Sequence, residues 1–218
     1  MSQTKVAVGM VDATGTPGSG NFLRGDGAWS APDAPFEALI GSTVISDDAT
    51  ISFTVDTTYD VYKFVIVDCH PATDNVDLWM RFGDSGGIDS GASDYGWVVT
   101  DHRADSATSG SSAIVLGAND NADAQMKILH SNAGASGSAT GEGCNAIVHV
   151  FANETSGGTM NTSYTVEGVL LDSAGKLVGL FGAGCRFTPL VLTTVQFLFE
   201  SGNLTSGRIT CFGLKHAA

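Results

Sequence analysis

The sequence predicts an all-β fold, an antiparallel sandwich or barrel preceded by an extended arm, and three observations carry that expectation. Of the 218 residues, 28 are Gly, only 15% are charged and 43% are hydrophobic. Ser, Thr, Asn, Gly and Asp must therefore cover the surface in place of Lys and Glu, as in turn-rich β proteins. Short apolar segments recur from Phe36 onward, separated by turn signals. Several of these segments alternate with period two, the pattern of a strand with one buried face.

Residues 1–35 form the arm, because Pro17, Pro32, Pro35 and a Gly-rich centre exclude a long helix or a central strand. Within it, the tract TGTPGSGNFLRGDGAWSAP carries Phe22, Leu23 and Trp29 but cannot form a core of its own. Each of these side chains releases on the order of 1.5–3 kcal/mol when buried. They must dock on the body, on sister chains or on another protein.

Residues 36–218 form the body, opened by FEALIGSTVIS and ATISFTV. VYKFVIVDC is apolar nearly throughout, as expected of a strand covered on both faces by a second sheet or a neighbouring subunit. In VDLWMRFG, Val76, Leu78, Met80 and Phe82 share one face, opposite Asp77, Trp79 and Arg81. In TTVQFLFES, Val195, Phe197 and Phe199 likewise oppose Gln196, Leu198 and Glu200. DYGWVVTDH, SAIVLG, CNAIVHVFAN, SYTVEGVLLD, KLVGLFGAGCRF and GRITCFGLK complete the strand set. ANDNADAQMKILH reads as a loop leading to a strand, and residues 131–143, SNAGASGSATGEG, as a flexible loop. Turns are expected at Asp47-Asp48, Asp74-Asn75, Gly86-Gly87, Gly157-Gly158, Ser173-Ala174-Gly175 and Ser201-Gly202-Asn203.

Charge narrows the partners. Ten basic against 23 acidic residues give a net charge of −13, which repels phosphate backbones and anionic membrane surfaces. No apolar run reaches the roughly 20 residues of a membrane helix, and the N-terminus lacks the basic and apolar regions of a signal peptide. Neither nucleic-acid binding nor membrane insertion is expected. Cys69, Cys144, Cys185 and Cys211 stand singly in apolar or strand-like stretches, and without an export signal they read as reduced, buried thiols.

Several motifs are weighed and set aside. GDSGG at residues 83–87 has the letters around a serine-protease nucleophile, but the only upstream histidine, His70, is too near Ser85 in sequence to leave room for the intervening barrel. It reads as a hairpin turn. Arg24-Gly25-Asp26 lies inside LRGDGAW, where Gly-Asp-Gly is a turn signal in its own right. GTPGSG and GLFGAG precede no helical pattern that could hold a phosphate. The five histidines lack metal-ligand spacing, and the acidic stretches lack the 12-residue calcium-loop pattern. No catalytic residue, metal site or cofactor is expected.

TGTPGSGNFLRGDGAWSAP closely resembles a segment that recurs in tail-fibre and other virion surface proteins of tailed bacteriophages, G-T-P-S-x-x-x-[FY]-L-R-G-D-G-x-W-x-x-P. Gly15, Thr16, Pro17, Phe22, Leu23, Arg24, Gly25, Asp26, Gly27, Trp29 and Pro32 match it. The C-terminal SGRITCFGLKHA resembles the closing strand of such proteins, G-x-I-x-L-Y-G-[LIV]-K, with Cys211 and Phe212 where Leu and Tyr are usual. Residues 36–205 share only a general β-rich likeness. The resemblance implies a homotrimeric virion protein, assembled in the bacterial cytoplasm, with a jelly-roll-like head. Its arm would attach to the particle through Phe22, Leu23, Arg24, Asp26 and Trp29.

Two functions then stand side by side. A short fibre would bind a host cell-surface glycan through Asp94, Tyr95, Trp97 and Asp101 in SDYGWVVTD, although Tyr95 and Trp97 read more readily as core, since aromatics at alternate strand positions usually face inward. A head decoration protein would instead stabilise the capsid lattice through the arm. A glycan-degrading enzyme is a further alternative, disfavoured because no paired carboxylates stand out. The absence of heptads or repeats suits decoration or a stubby fibre, and the linker resemblance tips the reading toward the fibre.

Overall fold

Each apolar segment of the body becomes a strand, and no helix occurs among the described residues. The computed structural model describes residues 22–23, 29–30, 37–104, 114–130, 135–152 and 161–214. The chain divides into two units, Met1–Phe36 and Glu37–Ala218. In the first, β1 (Phe22–Leu23) pairs antiparallel with β2 (Trp29–Ser30), with Phe22 opposite Ser30 and Leu23 opposite Trp29.

The second unit contains two antiparallel sheets. Its strands are β3 (Glu37–Val44), β4 (Ile51–Thr54), β5 (Val61–Pro71), β6 (Leu78–Asp84), β7 (Gly87–Ile88), β8 (Tyr95–Arg103) and β9 (Ile114–Asp123). They continue with β10 (Met126–Leu129), β11 (Gly143–Phe151), β12 (Ser163–Leu171), β13 (Leu177–Arg186), β14 (Thr194–Phe199) and β15 (Leu204–Leu214). The large sheet runs β3-β15-β5-β11-β12-β13-β8-β9, and the small one β10-β6-β14-β4, with β7 added to β6. The inner faces enclose one core. Tyr62, Phe64 and Ile66 of β5 are buried against Leu78, Met80 and Phe82 of β6 and Val195, Phe197 and Phe199 of β14. Phe64 stands at its centre, edge-on to Phe53 at 5.5 Å and to Phe197 at 5.1 Å between ring centroids, so that one large-sheet ring locks two small-sheet strands.

Turn chemistry closes the ladders as the sequence predicts. In the GDSGG hairpin Asp84 pairs with Gly87, whose φ of +116° suits only Gly, and the Asp84 carboxylate accepts the Gly86 N–H at 2.7 Å. Asp47 and Asn75 adopt positive φ at two other predicted turns, and Gly175 and Gly202 do so at two more. The Gly157-Gly158 turn lies outside the described residues.

Two expectations are corrected and a third is narrowed. The ANDNAD stretch is strand, because β9 runs on to Asp123 by pairing with β8, and only Ala124 and Gln125 separate it from β10. Residues 135–137 are buried, not a free loop: Ser136 exchanges backbone hydrogen bonds with Val76, and Gly137 donates to Leu171 O. The VYKFVIVDC strand has no second sheet on its outer face, where Val61 and Val65 are half-buried and Val67 is exposed.

The ladders also give the body two poles. Glu37 pairs with Leu214, which pairs with Val61, so the chain enters and the last strand ends at one pole. Pro71 pairs with Leu204 at the other, about 30 Å away at ~3.3 Å per strand residue.

Candidate functional site

The side chains proposed from sequence for glycan stacking are core residues. Positions 95, 97, 99 and 101 of β8 all point inward, and Tyr95, Trp97, Val99 and Asp101 are buried. Period two requires that if one of these turns in, the others follow. The Tyr95 hydroxyl accepts the Phe82 N–H and donates to Asp89 O, both at 3.0 Å, and burial pushes its pKa up, ahead of lesser electrostatic effects. Trp97 Nε1 donates to Asp123 at 3.0 Å. Only Asp94 is partly exposed, and its carboxylate accepts the Gly91 N–H at 2.6 Å to close a turn. Gly96, Val98, Thr100 and His102 occupy the outer face instead. The expected exposed cluster is thus corrected. Of the arm contacts, Phe22, Leu23 and Trp29 lie in the β1–β2 pair, and Arg24 and Asp26 lie outside the described residues.

Nor does the fold bring Ser85 and His70 together. Ser85 is in the β6–β7 turn of the small sheet, whereas His70 is on β5 of the large sheet and its Nε2 bonds Ala139 O at 3.0 Å. All four cysteines are free; Cys69 and Cys144 are direct cross-strand partners, and burial pushes the Cys211 thiol up to about 12. Among the described residues no group of three or more His, Cys, Asp or Glu could hold a metal.

One charged cluster had no sequence signal. The Asp77 carboxylate meets His130 Nδ1 at 2.7 Å and Lys127 Nζ at 3.1 Å, tying β10 to the approach of β6. Lys127 also lies 5.4 Å from the Trp97 ring centroid, and His130 packs edge-on against the same ring. Asp77 falls on the polar face of an alternating segment, which predicts exposure, yet it is buried. The buried carboxylate is matched by the Lys127 ammonium and by its hydrogen-bond contact with His130, so the cluster works as a strand clamp.

The surface that stands out is the outer face of the large sheet. Leu39, Val44, Val67, Val98, Leu177 and Phe181 each expose about half of their area or more there. The register places Val65 opposite Ile147, Ile147 opposite Glu167, and Glu167 opposite Phe181, so a mainly apolar row crosses four strands. Two shallow depressions follow from small residues between large ones. One, of about 450 Å³, is lined by Val65, Val67, Ile147, Val169 and Phe181 around Gly179. The other, of about 670 Å³, is floored by Gly96, Ala183 and Cys185 between Phe151 and Phe187. Charged side chains share the face: Lys63 pairs with Glu37 and covers the Phe212 ring, and Glu167 and Arg208 also stand on it. Exposed apolar side chains gathered on one sheet face are a feature that interaction surfaces commonly show.

The fold and this surface define the class: an all-β, two-sheet protein with a bare apolar sheet face. No family model matches the chain, and no curated protein matches it.

Proposed function

We propose that the protein is a structural component of a tailed-bacteriophage virion surface, a short homotrimeric fibre whose arm joins the particle and whose β head meets the host. The observation that carries the reading is the separation of the chain into two units. The segment with the G-T-P and F-L-R-G-D-G-x-W residues belongs to Met1–Phe36, while the buried core cluster of the described residues lies within the second unit, from Ile45 to Cys211. A segment that forms a unit of its own suits an attachment role.

A jelly-roll description of the head is supported by strand order. β3, β4, β5 and β6 alternate between the sheets, and β14 and β15 return to lie between β4 and β6 and between β3 and β5. Such interleaving of first and last strands is how double Greek keys are wound. The β8–β9 and β12–β13 hairpins widen the large sheet. Trimerisation is supported by the apolar outer face, which a lone chain leaves to water and which sister copies would cover; three-fold closure is drawn from the phage resemblance.

A second reading, a capsid decoration protein, gains from the burial of Tyr95, Trp97 and Asp101, which removes the glycan platform first expected of a fibre. Replacing Phe22, Leu23 and Trp29 by Ala tests the common element. The variant should melt like the wild type yet fail to enter particles, and electron microscopy of labelled wild-type protein should place it at the tail or on the head. Normal incorporation of the triple variant would overturn the attachment role.

A further inference from the structure

Opposite the pole where the chain enters the body, the β5, β11 and β15 ladders all depart from regularity at one level. Asp68 adopts a left-handed φ of +52°, Gly143 one of +107° and Gly207 one of +116°. A side chain at Gly207 would collide with the Asp68 carbonyl, so the two irregularities fit only each other. Register shifts in both β5 pairings mark the same place. The result is a pocket of about 510 Å³, within the usual size of a small-molecule site.

Its walls are held from within. Glu142 accepts the Ala139 N–H at 2.8 Å and the Glu142 N–H bonds Ala139 O at 3.0 Å, folding residues 139–142 into a closed turn. His70 Nε2 bonds the same carbonyl, and because a carbonyl only accepts, this nitrogen carries the proton. Ser138 N–H is tied to Asp74 at 3.0 Å, and Asp68 N–H to Asn145 Oδ1 at 2.9 Å. Asn145 thereby keeps its amide donors for a ligand, beside carboxylate oxygens of Asp68 and Glu142 and the hydroxyls of Ser138, Thr140 and Ser206. Val169 and Leu177 supply an apolar side.

This set of groups selects by chemistry. Two of the lining groups are carboxylates and none of the lining residues is Lys or Arg, so an anion would find no cation to pair with and would meet the repulsion of two carboxylates on a chain of net charge −13. A metal is poorly served by two carboxylates, in keeping with the absence of any three-ligand group among the described residues. A neutral molecule rich in hydroxyl donors, with one C–H face, fits both the polar and the apolar walls, since hydroxyl-to-carboxylate hydrogen bonds are the strong, short kind.

We propose that this pole pocket binds a neutral saccharide. That the sugar belongs to a host-surface glycan rests on the virion-surface reading, whereas sugar binding itself does not. Saturation-transfer NMR and titration of the full chain would use glucose, galactose, mannose and N-acetylglucosamine, each free and as a linear trisaccharide, with glucuronate and calcium chloride as charged controls. At least one neutral probe should bind, with its trisaccharide tighter, as a polymeric source requires; equal affinity would assign a free sugar instead and overturn the glycan clause. Asp68→Asn and Glu142→Gln should each weaken binding at least tenfold without lowering the melting temperature, because Asn tolerates the left-handed conformation and Gln keeps an acceptor for Ala139 N–H. Silence from every neutral probe at millimolar concentration, full affinity in both variants, or preference for glucuronate or calcium would overturn the proposal. Sugar binding by a protein that never reaches a particle would refute the virion reading and leave the pocket. Presence on particles without any saccharide signal would do the reverse.

Discussion

Replacing Phe181 by Thr puts the proposed assembly surface to a quantitative test. Phe181 is 62% exposed on β13, in the middle of the apolar row. A Phe side chain buries roughly 200 Å² when enclosed, so about 120 Å² still faces water, worth about 3 kcal/mol at ~25 cal/mol per Å² if a sister chain covers it. Thr restores a small part of that and keeps strand propensity; Asp would be a poorer choice because Glu167 lies directly opposite. A loss of about 2–3 kcal/mol per interface weakens association roughly 30- to 140-fold. The isolated chain should barely respond, since an exposed substitution changes folding stability by about 0.5 kcal/mol or less. Sedimentation velocity across a concentration series should show the wild type as a trimer and the variant shifted toward monomer, with an unchanged melting temperature measured on the monomer. Equal association of the two proteins, or a monomeric wild type at micromolar concentration, would refute the assignment of this face. A body without residues 1–35 should behave like the wild type.

Two further outcomes follow from the same geometry. Tyr95→Phe removes a hydroxyl that satisfies the buried Phe82 N–H, which costs about 1–3 kcal/mol, or a fall of roughly 2–4 °C in Tm for each kcal/mol in a domain of this size; an unchanged Tm would return Tyr95 to the list of surface residues. Ser85→Ala should leave Tm and assembly intact because the turn is held by Asp84 and Gly87, and loss of any hydrolytic activity in that variant would overturn the non-enzymatic reading.

What the sequence determined by itself is local. In VDLWMRFG and TTVQFLFES the period-two pattern identified both the strand and its buried face, because a half-covered strand can satisfy water and core only by alternating. Turn residues such as Asp84-Ser85-Gly86-Gly87 were equally legible, since positive φ restricts the residue choice. Where polar and apolar residues mix on both faces, alternation says that the faces differ but not which one is inside. SDYGWVVTD therefore leaned toward core but still admitted a platform until β8 took its place between β13 and β9. Pairings over long separations decided the rest. Asp77 meets His130 across 53 positions, and the pole pocket gathers Asp68, Glu142 and Ser206 from three distant segments. Neither grouping leaves a spacing in the sequence, because strand order in a sheet is fixed by which faces and edges fit together in three dimensions. The apolar outer face was half visible: VYKFVIVDC announced a strand that wants cover on both sides, and only the tertiary structure revealed that the chain itself covers one.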